Sequence, residues 1–346
     1  MLGIFFTMTQ LECQVTAMKC LVIDIGSSRL KIGFSNEEEP RFNIPCLLAS
    51  AETSRASDSG LQADPIFPVV RGKIVNMQAL MDLIGNVFRQ LVRPSTDPSL
   101  SSASGFVLDI PVFIASHPTW SQSDKLSLLT SMFSSFNPPS IAMMSGAALG
   151  LFATGKTTGL VVDLGNGVTT VTPLFEGFAL PYATFSAPFG GQDVAEVMKK
   201  EVEKATGSRL DSVSVDRLKE EVTSRSADKV GFFQLEDKRV VTIPMEVRWD
   251  KSVRSLVSCV LSLIQNSLTS VDDQVREAVS QNICLIGGNS CIDGLAHELR
   301  AHYPELIADT HRDIATWIGG SMLASLDASE KFHVFRNEAK DVVKFL

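Results

Sequence analysis

The sequence offers little for a metal centre, a disulfide framework or a nucleic-acid surface. Its five histidines are scattered and show no metal-ligand spacing. Six cysteines are present, without a C-x-x-C pair, and most lie in apolar stretches such as LVSCVL and NICLIGG. A cysteine there acts as a small buried hydrophobe, so a reduced intracellular protein is expected. Lys and Arg number 31 against 39 Asp and Glu, a net charge of −8, with no basic cluster. That speaks against direct nucleic-acid binding, which depends on clustered cations to neutralise phosphates. No apolar run approaches the roughly 20 residues of a membrane span. The opening MLGIFFTMTQLECQ lacks a basic n-region, which argues against a signal peptide. Met8 and Met18 are alternative starts, and residues 1–18 are expected to be an N-terminal extension outside the fold.

Hydrophobic residues make up 45% of the 346-residue chain and charged residues 20%, enough for one large domain or two mid-sized ones. Two segments read as loops: ASAETSRASDSGLQADP (49–65) and PSTDPSLSSASG (94–105). Between them, residues 77–92 carry a helical stripe at Leu80, Leu83, Val87 and Leu91. FVLDIPVFIAS (106–116) reads as a strand. SQSDKLSLLTSMFSSF reads as a helix capped by Ser121, with Leu126, Leu129, Phe133 and Phe136 on its apolar face. GGQDVAEVMKKEVEKATG predicts a helix capped by Asp193, with Val194, Met198, Val202 and Ala205 inward and Gly207 at its end. Strands alternating with helices point to an α/β architecture.

One pattern is written twice. CLVIDIGSSRLKI (20–32) and GLVVDLGNGVTTV (159–171) share Leu-Val, an aliphatic, Asp, an aliphatic and Gly at the same spacing. Each is a buried strand ending in an acid and a tight turn of small residues. Successive amides in such a turn can cradle phosphate oxygens. Ser27 and Ser28 add hydroxyls, and Lys31 is close enough to meet a phosphate as a point charge. Asp24 and Asp163 have the wrong sign for phosphate but suit a hydrated Mg²⁺. A single D-x-G turn is common and carries little information; two copies in separate places favour a nucleotide clamped between two halves. A third turn, CLIGGNSCIDG (284–294), also follows an apolar strand and can approach a base or ribose.

These turns, together with TTGLVVDLGNGVTTVTPLFEGFALP (157–181), IGGNSCIDGL and WIGGSMLASL (317–326), resemble actin and the actin-related proteins. The last segment matches conventional actin at all but one position, and weaker matches (PRFNIP, KIVN, RLKEEV, VVTI) fill the gaps in order. The resemblance implies the actin-like duplicated α/β fold, with two lobes around a nucleotide cleft, each a mixed sheet flanked by helices. The first lobe would comprise residues 19–152 plus 310–346, with a reduced small subdomain near 46–67. The second would comprise 153–309, with a small subdomain near 191–250.

The resemblance further implies ATP or ADP with Mg²⁺ or Ca²⁺. Phosphate contacts would come from Gly26, Ser27, Ser28, Lys31, Gly165, Asn166, Gly167 and Val168. Asp24 and Asp163 would hold the cation through water, and Gly191, Lys219, Glu220, Gly288 and Asn289 would surround the nucleoside. Read without the resemblance, Lys219 and Glu220 are a solvated helix face.

Departures from the family set further expectations. The glutamine that orients the hydrolytic water in actin falls at Gly146, or at Ser145 or Ala147 after a one-residue slip. Asn166 replaces an acid, Thr170 a histidine, and Asp313 a basic residue near the base; the family's aromatic near Ile292 is missing. Little room remains between Pro45 and Pro68 for the DNase-binding loop, and the segment carrying the hydrophobic loop after VTIPMEVRW is shortened. The expectation is therefore a cytoplasmic, cytoskeleton-associated actin-related subunit with actin-family or filament-associated protein partners. It would bind nucleotide structurally, hydrolyse little, and cap or dock on a filament rather than polymerise. Alternatives are a nuclear actin-related subunit of a chromatin-remodelling complex, or a sugar-kinase or heat-shock-type ATPase on the same fold.

Overall fold

The structure, a computed structural model, describes residues 19–48, 65–97, 99–207, 210, 214–215, 218–219, 230–234, 238–244 and 251–338. The N-terminal extension, most of the reduced subdomain near 46–67 and much of the segment 208–250 lie outside them.

Two mixed sheets form the frame, as the α/β expectation requires. The first opens with β1 (Leu21–Ile25) and β2 (Arg29–Phe34), an antiparallel pair joined by the first Asp-Gly turn. β3 (Phe42–Pro45) extends it beyond β2. After the short hairpin β4 (Val69–Val70) and β5 (Lys73–Ile74), helix α1 (Met77–Leu91) leads toward β6 (Val112–Ser116), which lies parallel to β1. Helix α2 (Gln122–Phe136) follows, then β7 (Ser140–Ser145), parallel to β6.

The second sheet repeats the opening move. β8 (Gly159–Leu164) and β9 (Thr169–Phe175) are antiparallel across the second Asp-Gly turn. β10 (Phe178–Ala179) and β11 (Phe185–Ala187) both pair with β9. Helix α4 (Gly191–Thr206), the hairpin β12 (Val230–Gln234) and β13 (Val240–Pro244), and helices α5 (Arg254–Ser270) and α6 (Asp273–Ser280) come next. Strand β14 (Ile283–Ile286) then lies parallel to β8, as β6 does to β1. In the two sheets Asp24 pairs with Ala115 and Asp163 with Ile286, so each acid stands where a hairpin strand meets its parallel neighbour.

The chain then returns through α7 (Leu295–Arg300) to α8 (Ala315–Ala324) and the edge strand β15 (His333–Phe335), which pairs with β7. Helix α3 (Gly146–Phe152) and α8 cross closely between the sheets: a Cβ on Gly319 would lie 1.9 Å from the Leu149 carbonyl oxygen. Trp317 is fully buried there and its Nε1 donates to the Val22 carbonyl at 3.1 Å. Cys20, Cys46 and Cys284 are buried, and desolvation raises their thiols to about 11, 12 and 12, as expected for inert hydrophobes.

Three local readings need correction. The strand expected over 106–116 begins only at Val112, since Pro111 brings no N–H to a ladder. Phe106 and Leu108 still bury their side chains in the core between the first sheet and helices α1 and α2, without joining a strand. In α2 the innermost residues are Leu128, Met132 and Phe136, with Leu129 and Phe133 partly covered and Leu126 outside the cluster. The Phe136 ring fixes that phase, meeting Phe88 edge-on at 5.0 Å over Gly85 of α1. Helix α4 is capped by Gly190 rather than Asp193, which sits three residues inside and accepts from the Gly190 N–H at 2.8 Å.

Candidate nucleotide cleft

The repeated sequence produces a repeated turn. In the first, Gly26 N–H donates to the Arg29 carbonyl at 3.0 Å; in the second, Gly165 N–H donates to the Val168 carbonyl at 3.1 Å. A Cβ on either glycine would come within 2.9 or 2.8 Å of that same carbonyl oxygen, so both positions require glycine for the same steric reason.

Both turns line one cleft of about 440 Å³. Asp24, Gly26, Ser27, Ser28 and Lys31 contribute from the first sheet. Asp163, Gly165, Asn166, Gly167 and Val168 contribute from the second. Lys219, Gly288 and Asn289 complete the expected set, and the cleft extends to Cys291, Ile292 and Asp313. Gly191 packs behind the lining: a Cβ there would meet the Asn289 side-chain amide at 2.1 Å. Glu220 lies outside the described residues.

Several expected ligand contacts already have partners within the chain. Lys31 Nζ donates to Asp24 Oδ2 at 2.7 Å, pairing the expected phosphate cation with the expected cation ligand. Lys219 Nζ donates to Asn166 Oδ1 at 2.9 Å. Asn289 is buried, and its Nδ2 donates to the Gly165 carbonyl at 2.8 Å, so its side chain anchors the second turn. Thr170, opposite Asp163 in the β8–β9 register, keeps a buried hydroxyl without a hydrogen-bond partner among the described residues.

Electrostatics favour a cation at the centre. Burial pushes the Asp163 carboxyl up to about 6, the charge of Asp24 adds to this, and Lys31 opposes it. Two carboxylates against one ammonium leave a negative surplus that a divalent cation would relieve, and carboxylate oxygens are its preferred donors. The donor set fits a cation–phosphate ligand. Gly288 adds room, since a Cβ there would meet open space.

The sequence reading did not single out His117 or Gly72 among the lining positions, and it named Gly287 only as part of the glycine pair in CLIGGNSCIDG. His117, just past β6, has its pKa driven down to about 4 by burial despite the charge of Asp24. Its Nδ1 accepts from the Thr119 N–H at 3.3 Å, which assigns the proton to Nε2. Gly287 has φ +90° and approaches so closely that a Cβ would lie 2.4 Å from Asp163 Oδ1. Gly72 reaches the cleft from the β4–β5 turn. At the position of the missing glutamine, Gly146 begins α3, and a Cβ there would sit 3.3 Å from the Ser116 carbonyl oxygen. The neighbouring Ser145 hydroxyl caps that helix, accepting from Ala148 N–H at 3.5 Å, and Ala147 is buried.

The chain matches the family model described as Actin over residues 15–242 and 234–342. It is also 24% identical over 360 residues to centractin of Saccharomyces cerevisiae, covering 90% of this chain and 91% of centractin. The chain belongs to the actin family.

Proposed function

We propose that this protein is a cytoskeletal actin-related subunit whose cleft holds an adenine nucleotide with a divalent cation as a structural ligand. The reading rests on the two Asp-x-Gly turns, closed by the same hydrogen bond, that line one cavity together with Asp24 and Asp163. The N–H groups of Gly26 and Gly165 close their own turns, so the amides of Ser27, Ser28 and Asn166–Val168 would donate to phosphate oxygens, and the two carboxylates would hold the cation through water. The cation supplies charge neutralisation between carboxylates and phosphates.

Hydrolysis is expected to be slow. Gly146, Ser145 and Ala147 offer no group to orient a water: the first has no side chain, the second caps α3 and the third is an alanine. Loss of such a group costs about 10²–10⁴-fold in rate. The match to the actin family model and the likeness to centractin support a filament-associated role in the cytoplasm best. Isothermal titration of nucleotide-free protein with ATP, with and without Mg²⁺, tests the binding. Heat is expected in both cases, with tighter binding when metal is present. Asp163→Ala should remove only the metal-dependent part. Folded protein that gives no heat at high micromolar ATP would refute the reading.

A further inference from the structure

The turn between β4 and β5 consists of Arg71 and Gly72, both at positive φ, +50° and +73°. Two such residues form the hairpin turn that matches strand twist, but arginine adopts that region only at a conformational cost. The contacts of the turn explain why it is held there. Gly72 N–H donates to Ser27 Oγ of the first phosphate turn at 2.8 Å, and its carbonyl accepts from Trp120 Nε1 at 2.8 Å. Arg71 reaches into the other half of the molecule. Its Nη1 donates to the Gly167 carbonyl at 3.2 Å and the Pro188 carbonyl at 2.9 Å. The guanidinium also grips Asp193 with both arms, Nη1 to Oδ2 at 2.5 Å and Nη2 to Oδ1 at 2.8 Å.

One two-residue turn thus touches both phosphate turns and the start of α4. The approach is tight: a Cβ on Gly167 would lie 2.7 Å from Arg71 Cα. With the Gly167 carbonyl held toward Arg71, the Val168 N–H of that planar trans peptide points the opposite way. The ion pair is only partly exposed, Arg71 at 33% and Asp193 at 24%. Burial raises the Asp193 carboxyl, but its bonds from Arg71 and from the Gly190 N–H outweigh this and leave it below the usual range. A planar guanidinium meeting a carboxylate edge-on is geometrically specific, and lysine cannot reproduce it.

We propose that the Arg71–Asp193 pair is a latch joining the two halves at the phosphate turns, and that it positions the second turn and limits how fast a bound nucleotide leaves. The part concerning nucleotide rests on the function proposed above; the latch itself does not.

The test uses the full chain and Arg71→Ala, Asp193→Asn, their double variant and Arg71→Lys. Asn at 193 keeps an oxygen for the Gly190 N–H, so α4 retains its start. Release of a fluorescent ATP analogue into excess unlabelled ATP is followed by stopped flow. Hydrogen exchange of residues 69–75 and 165–170 is measured in nucleotide-free protein. Each single alanine or asparagine change should speed release by up to about fivefold, the order expected for a partly exposed bidentate pair. The double variant should add nothing further, because both changes remove the same interaction. Arg71→Lys should fall between. Exchange in both segments should accelerate in the single variants. Additive effects, or unchanged exchange in variants with native circular dichroism, would overturn the latch. If the wild-type chain binds no nucleotide while exchange still accelerates, the latch stands and the nucleotide reading fails.

Discussion

Desolvation at the end of β6 penalises the imidazolium of His117 more than the nearby Asp24 carboxylate favours it, and the pKa falls from 6.5 to about 4. Between those values the unfolded chain binds a proton that the native cleft excludes. The contribution of His117 to stability is therefore complete above pH 6.5 and is lost as the pH falls toward 4. Asp163, raised from 3.8 to about 6, works in the opposite direction over much of the same range. The wild-type profile should thus hide part of the histidine effect. Urea unfolding of metal-free and nucleotide-free protein at pH 7 and pH 4.5 should show His117→Asn gaining on wild type at the acid end, by on the order of 2–3 kcal/mol. Parallel pH profiles for the two proteins would show that burial does not set this group. Asp24, Asp163 and the turn glycines were legible in the sequence because the motif occurs twice, and a repeat is hard to attribute to chance. His117 and Arg71 were not, since only the pairing of β6 with β1 brings His117 to the cleft and only the folding back of the β4–β5 hairpin brings Arg71 against the second turn. The available signals were a polar residue just past a buried strand and an Arg-Gly pair between the short stretches Val69-Val70 and Lys73-Ile74. The prediction for Asn289 found the place but not the work of its side chain, because an amide that ties a turn reads like one that meets a ligand.

Among the elements, α8 separates packing from presentation within one segment. Trp317, Gly319, Gly320, Ser321 and Ala324 are buried, while Met322 and Leu326 are 42% and 46% exposed, with Phe332 close in sequence and also exposed. The buried set explains much of the close match of WIGGSMLASL to actin without any partner: Gly319 lies against the Leu149 backbone, and a Cβ on Gly320 would meet Val22 at 2.9 Å. Gly319→Ala should therefore force α3 and α8 apart and cost upwards of ~3 kcal/mol, read by urea unfolding. Met322→Glu and Leu326→Glu should stay within about 0.5 kcal/mol of wild type. A tolerated Gly319→Ala would mean the crossing is looser than its geometry. Long periodic elements such as α1 were legible from their apolar stripe. Boundaries and helix phase were less so: a proline cut β6 short, a phenylalanine contact with α1 turned α2, and a glycine took the cap of α4. The proline was there to be read, but the other two depend on a partner distant in sequence or on backbone geometry, which periodicity does not report.

At the scale of the whole molecule, the proposed filament-associated role turns on two surfaces. A head-to-tail filament needs complementary surfaces at opposite ends of each subunit, and a subunit lacking one of them stops growth. The chain between Pro45 and Pro68 is short for the loop by which actin reaches its neighbour, as the resemblance implies. Elsewhere, Met322, Leu326 and Phe332 remain exposed in and after the closely packed helix α8. Such a subunit should dock on a filament end without extending it. Sedimentation tests this in two steps. Alone, at concentrations where actin pellets, the protein should remain in the supernatant. Mixed with short actin or actin-related filaments, it should pellet at a ratio that follows the number of ends rather than total polymer. Met322→Glu with Leu326→Glu should abolish co-pelleting while leaving unfolding unchanged. Ordered filaments of the protein alone would refute the asymmetry. Failure to bind any filament end would leave the match of WIGGSMLASL explained by the packing of Trp317 and Gly319 alone.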